Sequence, residues 1–364
     1  MSARDGMNYA PVGKPAPVVA AGEFVFAACS LDHGHINGQC NGLVEAGGLL
    51  KWVYDPDPKK VGEFLAQYPG VRVARSLEEI LEDSEVRLVA AAAIPNLRGP
   101  LGCEVLRAGK DYFTDKTPFT TRAQLEEARR VVRETGRKYA VYYSERLHSE
   151  CAIHAGTLIE AGAIGRVVQV LGLGPHRLNA PSRPPWFFER ERYGGILCDI
   201  GSHQCEQFLH FTGTNSAQVV SSATGNFANP EYPELEDFGE CSLVAAHGAS
   251  GYFRVDWFTP DGLRSWGDGR TIILGTDGYI ELRKYLDVTT EHGGNQLILV
   301  DAHGEQRIPC SGNVGYPFFG QLILDCLNRT ENAMTQEHAF AAADLCLEAQ
   351  EKAVRRAPLP SAES

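Results

Sequence analysis

The sequence has no long apolar run, no dense run of lysine or arginine, and no two cysteines in C-x-x-C spacing. A membrane-spanning helix needs about 18 or more apolar residues in a row, so we expect no transmembrane segment. The formal net charge is −12. Without a basic patch we expect neither a nucleic-acid partner nor a membrane partner. The ten cysteines are scattered through apolar surroundings, which is typical of buried, reduced thiols rather than of a zinc site or disulfide framework.

Residues 1–23 contain no apolar core of signal-peptide length, because prolines and glycines interrupt every apolar stretch. Together with reduced cysteines, this pattern predicts a cytoplasmic protein. We expect these residues to form an N-terminal arm that is either flexible or packed on a neighbour. The whole sequence is 43% hydrophobic and 22% charged, which is typical of globular proteins, and its 364 residues are enough for two domains.

Over residues 24–146, short apolar runs alternate with helical stretches of 10–15 residues. The runs FVFAACS, LLKWVYD and VRLVAAAAI are nearly all apolar, as strands buried on both faces of a parallel sheet are. Between them, PDPKKVGEFLAQYPG carries proline near its start and Pro-Gly at its end, which are typical helix boundaries. The alternation predicts an α/β domain with a doubly wound parallel sheet.

Residues 147–364 have a different pattern. HSECAIHAGTLIEAGAIG is an amphipathic helix, and it precedes longer strands such as RVVQVLGLG and ASGYFRVDWF in which polar and apolar residues alternate. Turns such as HGASG and GTDGY indicate antiparallel hairpins, and two helices end the chain. We predict a second, α+β domain with a mainly antiparallel sheet.

The turn after the first strand, SLDHGHING, contains Gly34 and leads through His35 and Ile36 into a helix. A helix N-terminus at such a turn favours an anion such as a pyrophosphate, although a plain tight turn would explain the same glycine. The second strand ends at Asp55, about 20 positions later, where an acid binds the adenosine ribose of a dinucleotide. A carboxylate there repels a 2′-phosphate, so NAD is favoured over NADP. The alternative is that Asp55 only caps the next helix.

Four stretches carry a family resemblance: AAAIPNLRGPLGCEVLRAGKDYFTDKTPFTT, VYYSERLHS, GGILCDIGSHQCEQFL and GTDGYIEL. In order and spacing they resemble the glucose–fructose oxidoreductase/inositol dehydrogenase (Gfo/Idh/MocA) family. The segment Asp115-Lys116-Thr117-Pro118 is similar to the family's E-K-P, with Asp for Glu and an inserted Thr. Arg98 stands where many relatives have histidine.

The resemblance implies an N-terminal Rossmann domain that binds NAD, and oxidation or reduction of a secondary alcohol on a sugar, polyol or sugar derivative. Relatives are commonly homodimers or homotetramers. Carried over to this chain, the cofactor-binding residues are Gly34, His35, Ile36, Asp55, Pro95, Asn96, Asp115, Lys116 and Arg146.

For catalysis, the resemblance implies His203 as proton acceptor and Asp199 as its substrate-positioning partner. The two are four positions apart, so on one helix they share a face, and a histidine is a suitable base near neutral pH. Lys116 follows the fifth strand at its carboxyl end, where doubly wound sheets bind ligands and an ammonium would contact the substrate oxygen. A helix-face hydrogen bond without catalysis is the alternative for Asp199 and His203.

The loop before that helix offers candidate substrate-binding residues, although such loops are also often simple solvated connections. An aromatic ring can stack on a sugar face and polar groups can hold its hydroxyls. The candidates are His176, Trp186 and Tyr193.

Other histidines have simpler explanations. His33 and His35 form an H-x-H motif with Cys40 nearby, but a turn beside a pyrophosphate explains them better than a metal, so we predict no metal site. His148 and His154 are expected on the surface or in packing. Two further functions stay open: a glycoside-cleaving lyase that oxidises its sugar only transiently, and a non-catalytic NAD sensor. Steady-state accumulation of NADH distinguishes a dehydrogenase from both.

Overall fold

The computed structural model describes residues 5–291 and 293–356, which form two domains and an N-terminal arm. The first domain is a six-stranded parallel sheet in the order β3-β2-β1-β4-β5-β6, flanked by helices. Its elements are β1 Val25–Cys29, α1 His35–Glu45, β2 Leu49–Tyr54, α2 Pro58–Gln67, β3 Arg72–Val73, α3 Leu77–Glu82, β4 Val86–Ala91, α4 Pro95–Arg107, β5 Asp111–Asp115, α5 Arg122–Thr135 and β6 Tyr139–Tyr142. The predicted doubly wound α/β domain is confirmed.

Local chemistry places these elements. All five residues of β1 are buried, as expected for a central parallel strand covered on both faces. Helix α2 starts with Pro58, and its first turn is capped by the Asp57 side chain, which accepts from Lys59 N at 2.9 Å. Gly38 lies in α1 where an added Cβ would come within 2.4 Å of the Tyr142 hydroxyl, so glycine lets this helix pack closely against β6.

The second domain is a nine-stranded sheet in the order β14-β13-β12-β11-β7-β10-β9-β8-β15, antiparallel except for the β7–β10 and β8–β15 pairs. The predicted α+β domain with a mainly antiparallel sheet is confirmed. Its elements are α6 Ser144–Leu147, α7 Glu150–Glu160, β7 Val167–Pro175, α8 Arg190–Tyr193, α9 Ile196–Asp199, α10 Gly201–Thr212, β8 Ala217–Gly225, β9 Phe238–Ala245, β10 Ser250–Asp256, β11 Arg270–Gly275, β12 Gly278–Arg283, β13 Gln296–Asp301, β14 Gly304–Pro309, α11 Pro317–Asn328, α12 Gln336–Lys352 and β15 Val354–Arg356.

Within the described residues, helices cover one face of the nine-stranded sheet. Helix α10 packs on that face, and ten of its twelve residues are buried. The opposite face carries apolar side chains that are more than a third exposed: Val168, Val220, Tyr252, Ile272, Leu274 and Tyr279.

The last two helices return to the first domain. Phe318 of α11 packs on Phe113 of β5 with ring centroids 5.9 Å apart. The Tyr143 hydroxyl, just beyond β6, donates to Ala339 O of α12 at 3.0 Å. The domain that we expected over residues 147–364 therefore braces the first sheet as well as its own.

The N-terminal arm lies on the chain's own first domain. Gly13 N donates to the Glu45 side chain at 2.8 Å, and Ala16 N donates to Glu45 O at 2.9 Å, at the carboxyl end of α1. Residues 6–8 form one turn of 3-10 helix near the opposite end of α1. The arm thus runs along α1 before it enters β1.

All ten cysteines are buried and unpaired, as small apolar core residues often are. Within residues 5–291 and 293–356, no helix combines the length and apolar character needed to cross a bilayer.

Candidate active site

The site lies where the carboxyl ends of β1, β4 and β5 meet the second domain, which is the edge at which doubly wound sheets bind ligands. Gly34 is the N-cap residue of α1, and His35 and Ile36 are its first residues. Pro95 and Asn96 begin α4 directly after β4, and Lys116 directly follows β5. The strand ends therefore gather most of the predicted cofactor residues along one edge.

Lys116 crosses the domain boundary. Its Nζ lies 2.5 Å from Oδ1 of Asp199, a residue of the second domain that ends α9. Both side chains are largely buried, at 6% and 11% exposure. Burial alone would raise the pKa of Asp199, but the Lys116 ammonium outweighs it and the net pKa is lowered. The Asp199 carboxyl group is therefore ionised at neutral pH.

His203 lies in the first turn of α10, which follows α9 almost without interruption. It is 2% exposed, and burial lowers its pKa to about 3, with the nearby Glu145 carboxylate acting in the opposite direction. Its ring is therefore neutral across the physiological range, and its Nδ1 has no hydrogen-bond partner within the described chain. A neutral imidazole is the form that accepts a proton.

Glu145 is a buried residue of this region that sequence reasoning missed. Its Oε2 accepts from Gln204 Nε2 at 3.0 Å and from Lys284 Nζ at 3.2 Å. Burial would raise the pKa of Glu145, but Lys284 and the neighbouring histidines hold it near 2. Its position beside Arg146 in the SERLHS stretch is the one sequence signal that could have identified it.

His176, which was predicted at the substrate site, lies beside Glu145. It follows β7, its Nδ1 lies 3.2 Å from Gly174 O, and its Nε2 lies 3.8 Å from Glu145 Oε1. Burial lowers its pKa to about 4, and the charges of Glu145, Lys116 and Asp199 act on it as well. The imidazole is therefore neutral. Because Nδ1 donates to Gly174 O, Nε2 can accept a hydrogen bond from a hydroxyl group.

The other two candidate substrate-binding residues, Tyr193 and Trp186, make mainly internal contacts. The Tyr193 hydroxyl donates to Glu234 O at 3.0 Å and accepts from Glu236 N at 3.0 Å, so this 1% exposed residue ties α8 to the following loop. The hydroxyl of Tyr193 therefore has partners within the chain, and its role in substrate binding stays a prediction. Trp186 is 7% exposed and packs on Phe187 with centroids 5.9 Å apart, so its ring is mainly a core group.

Asp55 ties β2 to the turn after β1. Its Oδ2 accepts from Leu31 N at 2.6 Å, and its Oδ1 accepts from Asp57 N at 2.9 Å. The cap of α2 is Asp57 rather than Asp55. The alternative that Asp55 is only a helix cap therefore does not describe this structure, and the carboxylate stays at the strand end predicted for the ribose-binding acid.

The Arg146 side chain contacts a carboxylate of the second domain. Its Nε donates to Glu206 Oε1 on α10 at 2.6 Å, and His338 Nε2 lies 3.2 Å from the same oxygen. The side chain lines a cavity of the second domain together with His210. The guanidinium of Arg146 thus braces α6 against α10, and its role in cofactor binding stays a prediction.

Asp115 lies at the centre of a buried cluster of polar side chains beside the first turn of α1. Its Oδ1 lies 2.9 Å from His35 Nδ1, and its Oδ2 lies 3.1 Å from Arg98 Nη2. Arg98 also donates to Ala93 O at 2.6 Å and to Lys116 O. Burial would raise the pKa of Asp115, but His35 and Arg98 hold it well below its usual range. Arg98 therefore fixes the backbone that carries Lys116.

His33, His35 and Asp115 also offer three ligand atoms within 4.8 Å of one another. However, both ring nitrogens of His35 already lie 2.9 Å from oxygen atoms, those of Asp115 and Gly6. A cation here would also face the charge of Arg98, since the guanidinium contacts the same carboxylate. The contacts describe an ion-pair network, and we assign no metal to it.

The residues present fit a dinucleotide at this edge. Gly34 at the amino end of α1 suits a pyrophosphate, and Asp55 suits the ribose hydroxyls. The amide oxygen of Asn96 is buried without a hydrogen-bond partner in the described chain, which leaves an acceptor for a bound group. The one departure is that arm residues lie against Gly34.

Comparison with known proteins gives the family. The model of the oxidoreductase family with an NAD-binding Rossmann fold (Gfo/Idh/MocA) matches residues 33–143, and the model of a Gfo/Idh/MocA C-terminal domain matches residues 153–281. Together these matches cover more than half of the chain. The chain belongs to the Gfo/Idh/MocA family of oxidoreductases.

Individual relatives agree with this assignment. A crystal structure of an oxidoreductase from Erwinia carotovora atroseptica is 49% identical, with a TM-score of 0.89, and the match covers 92% of this chain and 100% of that one. An uncharacterised oxidoreductase of Schizosaccharomyces pombe is 30% identical over 58% of this chain and 57% of its own. The NADP-dependent scyllo-inositol 2-dehydrogenase of Bacillus subtilis is 25% identical over 51% of this chain and 52% of its own. The chain thus spans about half the length of the curated relatives it matches.

Proposed function

We propose that this protein is an NAD-dependent dehydrogenase that oxidises a secondary alcohol of a sugar, polyol or sugar derivative. The observation that carries the proposal is the buried contact between Lys116 of the first domain and Asp199 of the second, one helical turn before His203. Family membership supports the cofactor, and a sugar-alcohol dehydrogenase among the relatives supports the substrate class.

Each of the three residues has a distinct role in this proposal. His203 accepts the proton of the substrate hydroxyl through the lone pair of its neutral ring, and the nearby Glu145 carboxylate favours the protonated imidazole that results. Lys116 donates a hydrogen bond to the same oxygen and stabilises the negative charge that develops on it. Asp199 holds the Lys116 ammonium in place and accepts from a second hydroxyl. Bound NAD supplies the hydride acceptor.

The remaining polar groups orient the substrate. His176 offers an imidazole nitrogen next to Glu145 Oε1, an oxygen without a hydrogen-bond partner in the described chain. Two buried acceptors side by side favour a ligand with hydroxyl donors over one with carbonyl groups. A polyhydroxylated substrate satisfies them both.

A substrate screen tests this function. We expect NAD, and more weakly NADP, to be reduced in the presence of at least one member of a panel of sugars, polyols and glycosides. The preference for NAD follows from the Asp55 carboxylate, which repels a 2′-phosphate. The measurement is steady-state absorbance of reduced nicotinamide. Cleavage of a glycoside without accumulation of NADH would instead indicate the lyase, and NAD binding without any turnover would indicate a sensor.

We also propose a homodimer or homotetramer that forms through the exposed apolar face of the nine-stranded sheet. Ile272 and Leu274 lie at the centre of that face, on β11, and are 38% and 43% exposed. We expect sedimentation velocity to give two or four times the chain mass, and Ile272→Glu to reduce it, because a charge cannot be buried unpaired in an apolar interface. Val44→Glu, a change at an equally exposed apolar residue on α1, is the matched control and should leave the mass unchanged. An Ile272→Glu protein of native mass would contradict this interface.

A further inference from the structure

Residues 5–9 of the arm, which we call the strap, lie in the cleft between the two domains. On the side of the second domain, Gly6 is so close to His176 that an added Cβ would lie 2.9 Å from its ring. On the side of the first domain, Gly6 O accepts from His35 Nε2 at 2.9 Å. One residue of the strap thus touches both a candidate substrate residue and the first residue of α1.

The middle of the strap covers the amino end of α1. A Cβ built on Gly34 would lie 2.6 Å from Met7 O and 2.8 Å from Asn8 Oδ1. In a dinucleotide site, a glycine at this position leaves that space free so that the pyrophosphate can approach the helix. Here two oxygen atoms of the strap fill it. Pyrophosphate oxygens and strap oxygens cannot share the same volume.

The strap is fastened at both ends to the second domain. The Asp5 carboxylate, 2% exposed, accepts from Asn179 Nδ2 at 3.2 Å, from Ser182 Oγ at 3.1 Å and from Asn8 Nδ2 at 3.2 Å. At the other end, the Tyr9 hydroxyl donates to His148 O at 3.0 Å. The closed position is therefore held by specific contacts, and we call the contacts of Asp5 with the second domain the clasp.

We propose that the strap is a conformational gate, which competes with the dinucleotide for the amino end of α1 and opens at the Asp5 clasp to admit it. This inference depends on the NAD cofactor of the proposed function. If the strap is closed most of the time, the apparent dissociation constant equals the intrinsic one divided by the open fraction. Weakening the clasp therefore strengthens NADH binding without any new contact to NADH.

The test is NADH binding to the full chain, measured by calorimetry for affinity and by stopped-flow fluorescence for the association rate. Asp5→Ala removes every acceptor of the clasp, and we expect the apparent dissociation constant to fall and the association rate to rise by about tenfold each. Ser182→Ala removes one hydrogen bond at an exposed residue. It should also lower the apparent dissociation constant and raise the association rate, each by a smaller factor. Lys14→Ala is the control, since Lys14 belongs to the arm but contacts Gly312 outside the cleft.

The outcomes separate the gate from the cofactor assignment. Unchanged binding in Asp5→Ala, with normal NADH affinity in all proteins, would refute the gate and leave the dehydrogenase proposal standing. Weaker binding in Asp5→Ala would also refute it, because the strap would then be part of the NADH site. If no protein binds NADH, including the unmodified chain, the cofactor assignment and the gate are both wrong.

Discussion

Replacing Lys116 by alanine is expected to lower kcat/KM by about a thousandfold or more, the range found when one acid–base or charge-stabilising group is lost. The change removes the hydrogen-bond donor for the reacting oxygen. It also leaves the Asp199 carboxylate buried without its partner, since the 2.5 Å contact with Lys116 Nζ is its main compensation. The measurement is steady-state kinetics with the best substrate of the screen, together with a separate NADH binding constant.

The chain provides a matched control for this change. Lys110 directly precedes β5 and Lys116 directly follows it, so the two lysines mark opposite ends of the same strand. Lys110 is also buried, and its Nζ donates to Asp83 O at 2.6 Å, away from the carboxyl edge. We expect Lys110→Ala to cost stability but to leave kcat/KM within about threefold, because it contacts no group of the site.

His203→Ala should cost a similar factor, and the double variant should lose far less than the product of the two single losses. Groups that act together on one oxygen are not additive, because removing either already abolishes most of the shared stabilisation. If Lys116→Ala and His203→Ala both keep kcat/KM within tenfold of the unmodified enzyme, our assignment of the chemistry is wrong. Multiplicative losses would show that the two residues act on different steps.

The fold was predictable because its signals are periodic and local. Apolar runs without alternation, as in β1, specify a strand covered on both faces, and alternating patterns such as that of β10 specify a sheet with one covered face. The open face of the second sheet is the direct consequence of that alternation. Neither the order of the nine strands nor the parallel β7–β10 pair follows from periodicity, because both depend on long-range packing.

The site was predictable only in part. Asp199 and His203 are close in sequence, so helix geometry brings them together. Lys116 is far from both, and only its position at the end of a strand and the family resemblance placed it at the site. Glu145 and Lys284 form a buried ion pair, and no local sequence pattern predicts this contact. The contact of Arg146 with Glu206 could not be predicted for the related reason that Glu206 lies on a distant helix. Contacts between single polar residues leave no periodic trace in a sequence.

The strap is the clearest case of this limit. A Pro/Ala-rich arm without periodicity gives no indication of where it packs, and its contacts depend on Asp5 finding Asn179 in the other domain. The glycine turn carried an ambiguous signal for the same reason. The turn at Gly34 was predicted to bind a pyrophosphate, and the structure adds that Met7 and Asn8 lie against this glycine.

Unfolding at pH 5 is expected to take up at least four protons at buried histidines, so that the protein loses stability steeply on mild acidification. Burial is the main cause that lowers the pKa of His148 and His203 to about 3, of His176 to about 4 and of His210 to about 3. In the unfolded chain each of them returns to about 6.5. Between these values the unfolded state binds more protons than the folded one. Stability is therefore fully present above about pH 6.5 and is lost as the pH falls below it.

Difference titration of folded and guanidinium-unfolded protein measures this uptake directly, and single variants separate the histidines from the many carboxyl groups. His210→Gln should lower the uptake at pH 5 by about one proton and flatten the pH dependence of the unfolding free energy by up to about 1.4 kcal/mol per pH unit. His303→Gln, at an exposed residue, should change neither quantity. An equal effect of the two variants would mean that His210 titrates in the folded protein as it does in water. The same reasoning applies to His203, because the burial that makes the fold acid-sensitive is also what keeps its imidazole neutral at physiological pH.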